Sequence, residues 1–168
     1  MRCAHIVIGH PYRDSFNGHL ARTAAGELEI SGWQVSVSDL GAMNFDPAEG
    51  LHHYPGIETA GEYNVQREQR LAAERDSTPA DVAEEIARLE QTELLILQFP
   101  LWWYGAPALL KGWFDRVFVY GRVYTSKMRH DRGLFKGKRT ILSVTCGGPA
   151  ETLPTTGGMA ISSCYCGL

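Results

Sequence analysis

The sequence predicts an α/β fold, a parallel β-sheet with helices on both faces. Three observations predict it. Four short stretches read as strands, and the first and third are continuous apolar runs, as parallel strands covered on both faces require. Segments whose apolar residues recur at helical spacing separate them, so strand and helix alternate along the chain. The most distinctive segments, HPYRDSFN, FPLWWYG and TCGG, each begin where a predicted strand ends.

Residues Cys3 to Gly9 (CAHIVIG) form the first strand, apolar and β-branched, ending at His10-Pro11. Leu20, Ala24 and Leu28, joined by Ala21, then recur at helical spacing between Phe16 and Ile30, with Ser15 as N-cap and Gly32 as the stop. Trp33 to Leu40 alternates Trp33, Val35 and Val37 against Gln34, Ser36 and Ser38, the pattern of a strand near a sheet edge. Gly41 to Ser77 is polar and interrupted by Pro47 and Pro55, with a helical turn only around Gln66 to Glu74. An excursion of that length is more often functional or interface-forming than inert. Pro79 opens a helix running to about Gln91, with Val82, Ile86 and Leu89 on one face. Glu93 to Phe99 (ELLILQF) is a third, apolar strand, and Pro107 opens a helix whose inner face is Leu110, Trp113, Phe114 and Val117. Arg139 to Thr145 is the fourth strand, running into Cys146-Gly147-Gly148. Right-handed crossovers leave few ways to order such strands. In the order 2-1-3-4-5 a ligand crevice lies beyond the carboxyl ends of strands 1 and 3, where the sheet reverses direction.

Composition narrows the function. A chain of 168 residues, 44% of them hydrophobic, is large enough for one domain, 1–168, with a well-formed core. A formal charge of −3 provides no basic field, so nucleic acid and anionic membrane are not expected partners. The longest apolar run, FPLWWYGAPALL, is about half of a membrane span and is broken by both prolines. The N-terminus also lacks the basic-then-apolar pattern of a secretion signal, and a cytoplasmic protein is expected. Cys3, Cys146, Cys164 and Cys166 form no regular framework, which suits reduced thiols. Cys164 and Cys166 supply two ligands with no His cluster nearby, and His52-His53 with His130 lack the spacing on one element that chelation needs. No metal is expected, and no Ser/His/Asp arrangement or nucleophile elbow is present.

The stretch Gln98–Tyr124, QFPLWWYGAPALLKGWFDRVFVYGRVY, is the most informative. Pro100 and Pro107 lack an N–H and restrict the residue before them, so Phe99 to Ala106 is expected as irregular backbone. Trp102, Trp103 and Tyr104 cannot all be buried from consecutive positions, and at least one should face the crevice. A flat heteroaromatic ring there would gain stacking and apolar burial, while a subunit interface would explain the same residues. After the first strand, His10 to Asn17 lead into a helix N-terminus that favours phosphate or pyrophosphate, with Ser15, Asn17 and His10 as further donors. An ordinary capped turn explains that segment as well. Neither G-x-G-x-x-G nor G-x-x-x-x-G-K-[ST] follows the strand, so the Rossmann fingerprint and the triphosphate loop are both missing. After the fourth strand, Gly147 and Gly148 would let backbone approach a ring closely, although paired glycines also make common turns.

These segments, with VQREQ (Val65 to Gln69) and LFKGKRTILSVTCGG, resemble the NAD(P)H:quinone oxidoreductases of the flavodoxin-like superfamily, in order from about Cys3 to Gly148. The resemblance implies a flavodoxin-like three-layer sandwich, sheet order 2-1-3-4, binding a flavin, FAD or FMN, non-covalently at a homodimer interface. It implies a ping-pong cycle in which NAD(P)H reduces the flavin and a quinone or similar acceptor takes the hydride. It assigns His10, Phe16 and Asn17, with Ser15 beside them, to the flavin phosphate and ribityl chain. Pro100, Leu101, Trp102, Trp103, Tyr104 and Gly105 match the segment along the isoalloxazine. Thr145, Cys146, Gly147 and Gly148 match the turn on the ring's other side, with Cys146 where Thr is usual. Gln66 matches a polar contact to the flavin's far end. Tyr124 matches a tyrosine closing the substrate pocket from the neighbouring subunit, and with Tyr104 it is the implied catalytic pair.

The tail, 149–168, departs from that pattern. The family follows its Gly-Gly turn with a Tyr and a His near the flavin, then a fifth strand and a last helix. Here Leu153 stands near the Tyr position, the His has no counterpart, and no apolar run matches the fifth strand. The expectation is a four-stranded flavin-binding domain with an altered end, leaving strand 4 as an exposed edge. The alternative function that follows is a non-enzymatic flavodoxin-like dimer, or a regulatory subunit peripherally associated with a potassium-efflux transporter.

Overall fold

A computed structural model of the chain describes residues 2–55, 62–128, 132–133 and 135–147. Its parallel sheet contains β1 (Cys3–Ile8), β2 (Gln34–Asp39), β3 (Leu94–Pro100) and β4 (Arg139–Thr145) in the order β2-β1-β3-β4. Four helices accompany them: α1 (Phe16–Ile30), α2 (Val65–Glu74), α3 (Ala80–Gln91) and α4 (Ala108–Val117). Pairing sets Ile8 of β1 beside both Asp39 and Gln98, and Pro100 beside Thr145, so β3 and β4 extend past the end of β1.

Alternation along the strands divides the core between two faces. Ala4, Ile6 and Ile8 of β1, with Leu94 and Ile96 of β3, meet α1 through Ala21, Ala24, Ala25 and Leu28, small residues that let the helix lie close. Val7, Leu95, Leu97 and Phe99 turn the other way, against α3 and against Leu110, Trp113 and Val117 of α4. Helices on both sides leave β3 buried along its whole length, which is why its sequence is an apolar run. The architecture is the expected flavodoxin-like α/β sandwich.

Local signals set most boundaries. Ser15 Oγ accepts the Gly18 N–H at 3.2 Å to start α1, and Gly32, at φ +78°, ends it in a conformation that costs a residue without Cβ little. Pro79 and Pro107 stand as N-caps, one residue earlier than a first helical position. The expected helical turn around Gln66 to Glu74 is a full helix, α2, capped by Asn64, whose side chain accepts the Arg67 N–H at 3.0 Å. Its buried side carries Glu68 and Gln69 where an apolar stripe would normally be. Glu68 pairs with Arg67 at 2.7 Å, and Gln69 spans to the Asp115 carbonyl and the Tyr120 N–H.

The alternation expected for β2 is overturned at its end. Val37 is 46% exposed and Ser38 is buried. Ser38 faces a polar cluster beneath the sheet, donating to Glu85 of α3 at 2.6 Å and lying 3.3 Å from His5 Nε2 of β1. Trp113 Nε1 donates to the same carboxylate at 2.8 Å, His5 Nε2 lies 3.5 Å away, and Arg88 pairs with it. Burial pushes the Glu85 carboxyl upward, but the hydrogen bonds from His5, Ser38 and Trp113 outweigh it and hold the pKa at about 2.

The polar excursion after β2 is anchored by Arg116 of α4. Its guanidinium pairs with Asp81 at 2.7 Å, donates to the Asp46 carbonyl at 3.0 Å, and lies over the Phe45 ring. Gly112, one turn earlier, lets the helix backbone touch Pro47, and a Cβ there would fall on the Pro47 carbonyl. Among the described residues no helix is long and apolar enough to cross a membrane. The expectations for 149–168, the fifth strand and Leu153 included, lie outside the described residues, as do His130, Gly148, Cys164 and Cys166.

Candidate functional site

A cleft of about 330 Å³ opens beyond the carboxyl ends of β3 and β4, beside the N-terminus of α1. Phe16 and Asn17 form one side, Pro100, Leu101 and Trp102 a second, and Thr145, Cys146 and Gly147 a third. These are the three segments that begin at strand ends, brought together because parallel strands all finish at one edge. The Leu101 N–H donates to the Thr145 carbonyl at 2.7 Å, continuing the β3–β4 ladder past the strands and fixing where the aromatic loop leaves the sheet.

Below the cleft the polar groups are paired. Asn17 Nδ2 donates to Thr145 Oγ1 at 3.0 Å, and Gln98 Nε2 donates to Asn17 Oδ1 at 2.8 Å, all three residues being buried. The described residues lining the cleft include no charged side chain. An uncharged amide and hydroxyl floor under aromatic walls orients a planar ligand.

The aromatic loop is a tight turn. Trp102 and Gly105 exchange both backbone hydrogen bonds, at 3.1 and 3.0 Å, which leaves Trp103 and Tyr104 at φ +51° and +61°. Two consecutive left-handed residues without glycine are strained, by roughly 1–2 kcal/mol each. The turn directs their side chains away from the cleft, at 97% and 98% exposure, while Trp102 stays on its wall. His10 stands at the rim, its ring 5.9 Å from that of Trp102. Its Nδ1 lies 3.0 Å from both the N–H and the carbonyl oxygen of Tyr12, which fixes the ring against the turn.

Gln66 and Tyr124 lie elsewhere. Gln66 Nε2 approaches the Tyr124 hydroxyl at 3.4 Å, and both line a second cleft of about 560 Å³ with Phe114 and Phe118.

A family model described as a flavodoxin-like fold matches residues 4–163. The chain belongs to this flavodoxin-like family.

The flavodoxin-like chain is 40% identical over 149 residues to NAD(P)H dehydrogenase [quinone] 1 of Cavia porcellus, covering 88% of itself and 54% of that protein. It is 40% identical over 153 residues to ribosyldihydronicotinamide dehydrogenase [quinone] of Homo sapiens, covering 90% of itself and 66% of the relative. Among solved structures it resembles a provisionally assigned quinone reductase from Klebsiella pneumoniae, with TM-score 0.79 and 33% identity over 90% of this chain and 61% of that one. It also resembles an NAD(P)H:quinone oxidoreductase from Methanothermobacter marburgensis, with TM-score 0.67 and 28% identity over 89% and 67%. The chain thus spans between about half and two thirds of the curated relatives named here.

Within this flavodoxin-like chain the structure gathers Phe16, Asn17, Pro100, Leu101, Trp102, Thr145, Cys146 and Gly147 in one cleft, as the strand-end positions imply. Ser15 is engaged as the helix cap and Gly105 as the closing residue of the turn. His10 stands at the rim of that cleft, and four further assigned residues lie away from it. Trp103 and Tyr104 are turned to solvent by the left-handed backbone, and Gln66 and Tyr124 share the other cleft because α2 and the segment after α4 pack on each other. Gln98 was missed, although a polar residue inside ELLILQF was a visible signal. Asp46 was missed as well. Its carboxylate and the His52 and His53 rings offer ligand atoms within 4.8 Å of one another. A ligating histidine donates its second N–H outward. His53 Nδ1 instead faces the Arg116 guanidinium at 3.2 Å, while its Nε2 lies 3.0 Å from the Ala48 carbonyl, so the trio serves as a hydrogen-bonded pin for the loop. A backbone hydrogen bond from Ala48, and then the His52 contact, hold the Asp46 carboxyl below its ordinary range.

Proposed function

We propose that this flavodoxin-like chain is a cytoplasmic NAD(P)H:quinone oxidoreductase that carries FAD or FMN in the cleft beyond β3 and β4. The observation that carries the reading is the uncharged, aromatic-walled cleft beyond the carboxyl ends of β3 and β4, in a chain 40% identical to an NAD(P)H dehydrogenase [quinone].

The residues present fit a flavin. Phe16 and Trp102 offer apolar surface to a flat ring, and Gly147 brings backbone without a Cβ to the cleft wall. Thr145 and Asn17 present a hydroxyl and an amide to a ring edge, and their mutual hydrogen bond keeps them from moving apart. The start of α1, with the His10 ring and the Ser15 hydroxyl nearby, suits a phosphate at the other end of the cofactor. A bound flavin supplies the acceptance and release of hydride, and the protein supplies binding and orientation. Trp102 shields the ring from water, and Asn17 and Thr145 hold its polar edge in register.

Tyr124 lies outside the cleft of its own chain, which supports a homodimer in which Tyr124, Tyr104 and Gln66 of one copy face the cofactor of the other. The exposed Trp103 and Tyr104 rings suit such an interface.

The test is an absorption spectrum of the purified protein with and without added FAD or FMN, followed by NADPH or NADH and then a quinone. A yellow protein that bleaches with the nucleotide and recovers with the quinone is expected. A colourless protein that neither flavin reconstitutes would sink the reading. Sedimentation analysis reads the dimer directly.

A further inference from the structure

Gln98 interrupts an otherwise apolar strand, is 2% exposed, and lies beneath the cleft rather than in its wall. Burying a carboxamide is costly unless its polar atoms are bonded, so its partners are informative. Gln98 Nε2 donates to Asn17 Oδ1 at 2.8 Å. Asn17 Nδ2 donates to Thr145 Oγ1 at 3.0 Å, and the Thr145 hydroxyl lies 3.2 Å from the same Asn17 Oδ1. An amide oxygen has two lone pairs, so Gln98 and the hydroxyl can share it. Without Gln98, Asn17 Oδ1 would depend on the Thr145 hydroxyl alone. Turning that hydroxyl outward would then leave a buried acceptor unpaired, and the hydroxyl would be tied down.

We propose that Gln98 is a positioning residue for the cleft: by holding Asn17 Oδ1 it frees the Thr145 hydroxyl to donate into the cleft, to an acceptor atom on the edge of the bound ring. The proposal rests on the flavin reading of this cleft. Gln98 touches no ligand and acts through Asn17. A donor aimed at the ring edge favours the ring when it is electron-rich, so the relay raises the reduction potential of the flavin as well as its affinity.

The test is the midpoint potential and dissociation constant of flavin in reconstituted wild type, Gln98→Leu, Gln98→Glu, Thr145→Val, Thr145→Ser and the double variant Q98L/T145V. Q98L is expected to weaken flavin binding about five- to tenfold, as the loss of one hydrogen bond implies, and to move the potential to a more negative value. Q98E is expected to move it further, because a carboxylate only accepts. Asn17 must then turn its Nδ2 toward Glu and its Oδ1 toward Thr145, which ties the hydroxyl inward. T145S keeps the wild-type potential, whereas T145V reproduces the loss. Adding Q98L to T145V changes nothing more, since both remove the same donor. Gln98→Met is the substitute should Q98L not fold. A wild-type potential in flavin-loaded Q98L or Q98M, or full additivity with T145V, overturns the relay and leaves the flavin reading standing. A wild type that takes up no flavin overturns both.

Discussion

Asn17, in the first turn of α1, and Thr145, the last residue of β4, are 128 positions apart in the chain and joined by a hydrogen bond of 3.0 Å. The bond ties the N-terminus of the helix to the end of β4, and the cleft opens above it. Every candidate ligand contact on that side inherits its position from this pair.

Replacing Asn17 by Ala therefore strips the partner from both Gln98 and Thr145. Leaving buried polar groups unpaired predicts a loss of about 1–3 kcal/mol in urea unfolding, with weaker flavin uptake at temperatures where the variant is still folded. Wild-type stability in that variant would show that the pair does not organise the cleft.

Tyr104 stands at φ +61° with its side chain almost wholly in solvent. Glycine there removes backbone strain and forfeits no burial within the chain, although it adds freedom to the unfolded state. Tyr104→Gly is expected to keep the thermal stability of the single chain or raise it by up to about 1 kcal/mol, while weakening self-association in sedimentation measurements. Unchanged association would remove Tyr104 from the interface.

Glu85 links α3 to the sheet and to α4, and its folded pKa is depressed from 4.5 to about 2. A depressed carboxyl contributes stability that is fully present above the unfolded pKa and is lost as pH falls through the folded one. Stability should thus decline between pH 4.5 and about 2 as the buried carboxylate is protonated. Glu85→Gln should be less stable than wild type at pH 7, with a flatter profile across that acid range, as followed by circular dichroism. Parallel profiles for the two proteins would contradict the role given to this carboxylate.

Gly112 is where α4 touches the loop after β2. Gly112→Ala sets a methyl against the Pro47 carbonyl, which cannot swing away as a side-chain tip would. Overpacking of this kind predicts a loss of about 1–3 kcal/mol, measurable as a lower urea midpoint at unchanged slope. A neutral effect would mean that the loop can move off the helix freely.

Much of the fold was legible from local chemistry. Ser15 and Gly32 bracket α1, the apolar runs of β1 and β3 mark strands covered on both faces, and the end of β4 falls where the turn residues begin. α2 was legible only in part, because its buried side carries the polar pair Glu68 and Gln69, and the partners that satisfy Gln69, Asp115 and Tyr120, lie far along the chain. Val37 and Ser38 exchanged places for the same reason: a serine is buried when a distant carboxylate waits for it, and no period in the sequence records that.

By itself the sequence determined the strands, the helix starts and the three segments that meet at the carboxyl edge, because caps, glycines, prolines and apolar periodicity act over a few residues. Only the tertiary structure decided that Asn17, Gln98 and Thr145 form one buried polar unit, that Trp102 lines the cleft while Trp103 and Tyr104 do not, and that Tyr124 sits in a different cleft. Those outcomes depend on contacts between residues up to 128 positions apart, and on two left-handed backbone conformations stabilised by a turn, neither of which local composition encodes.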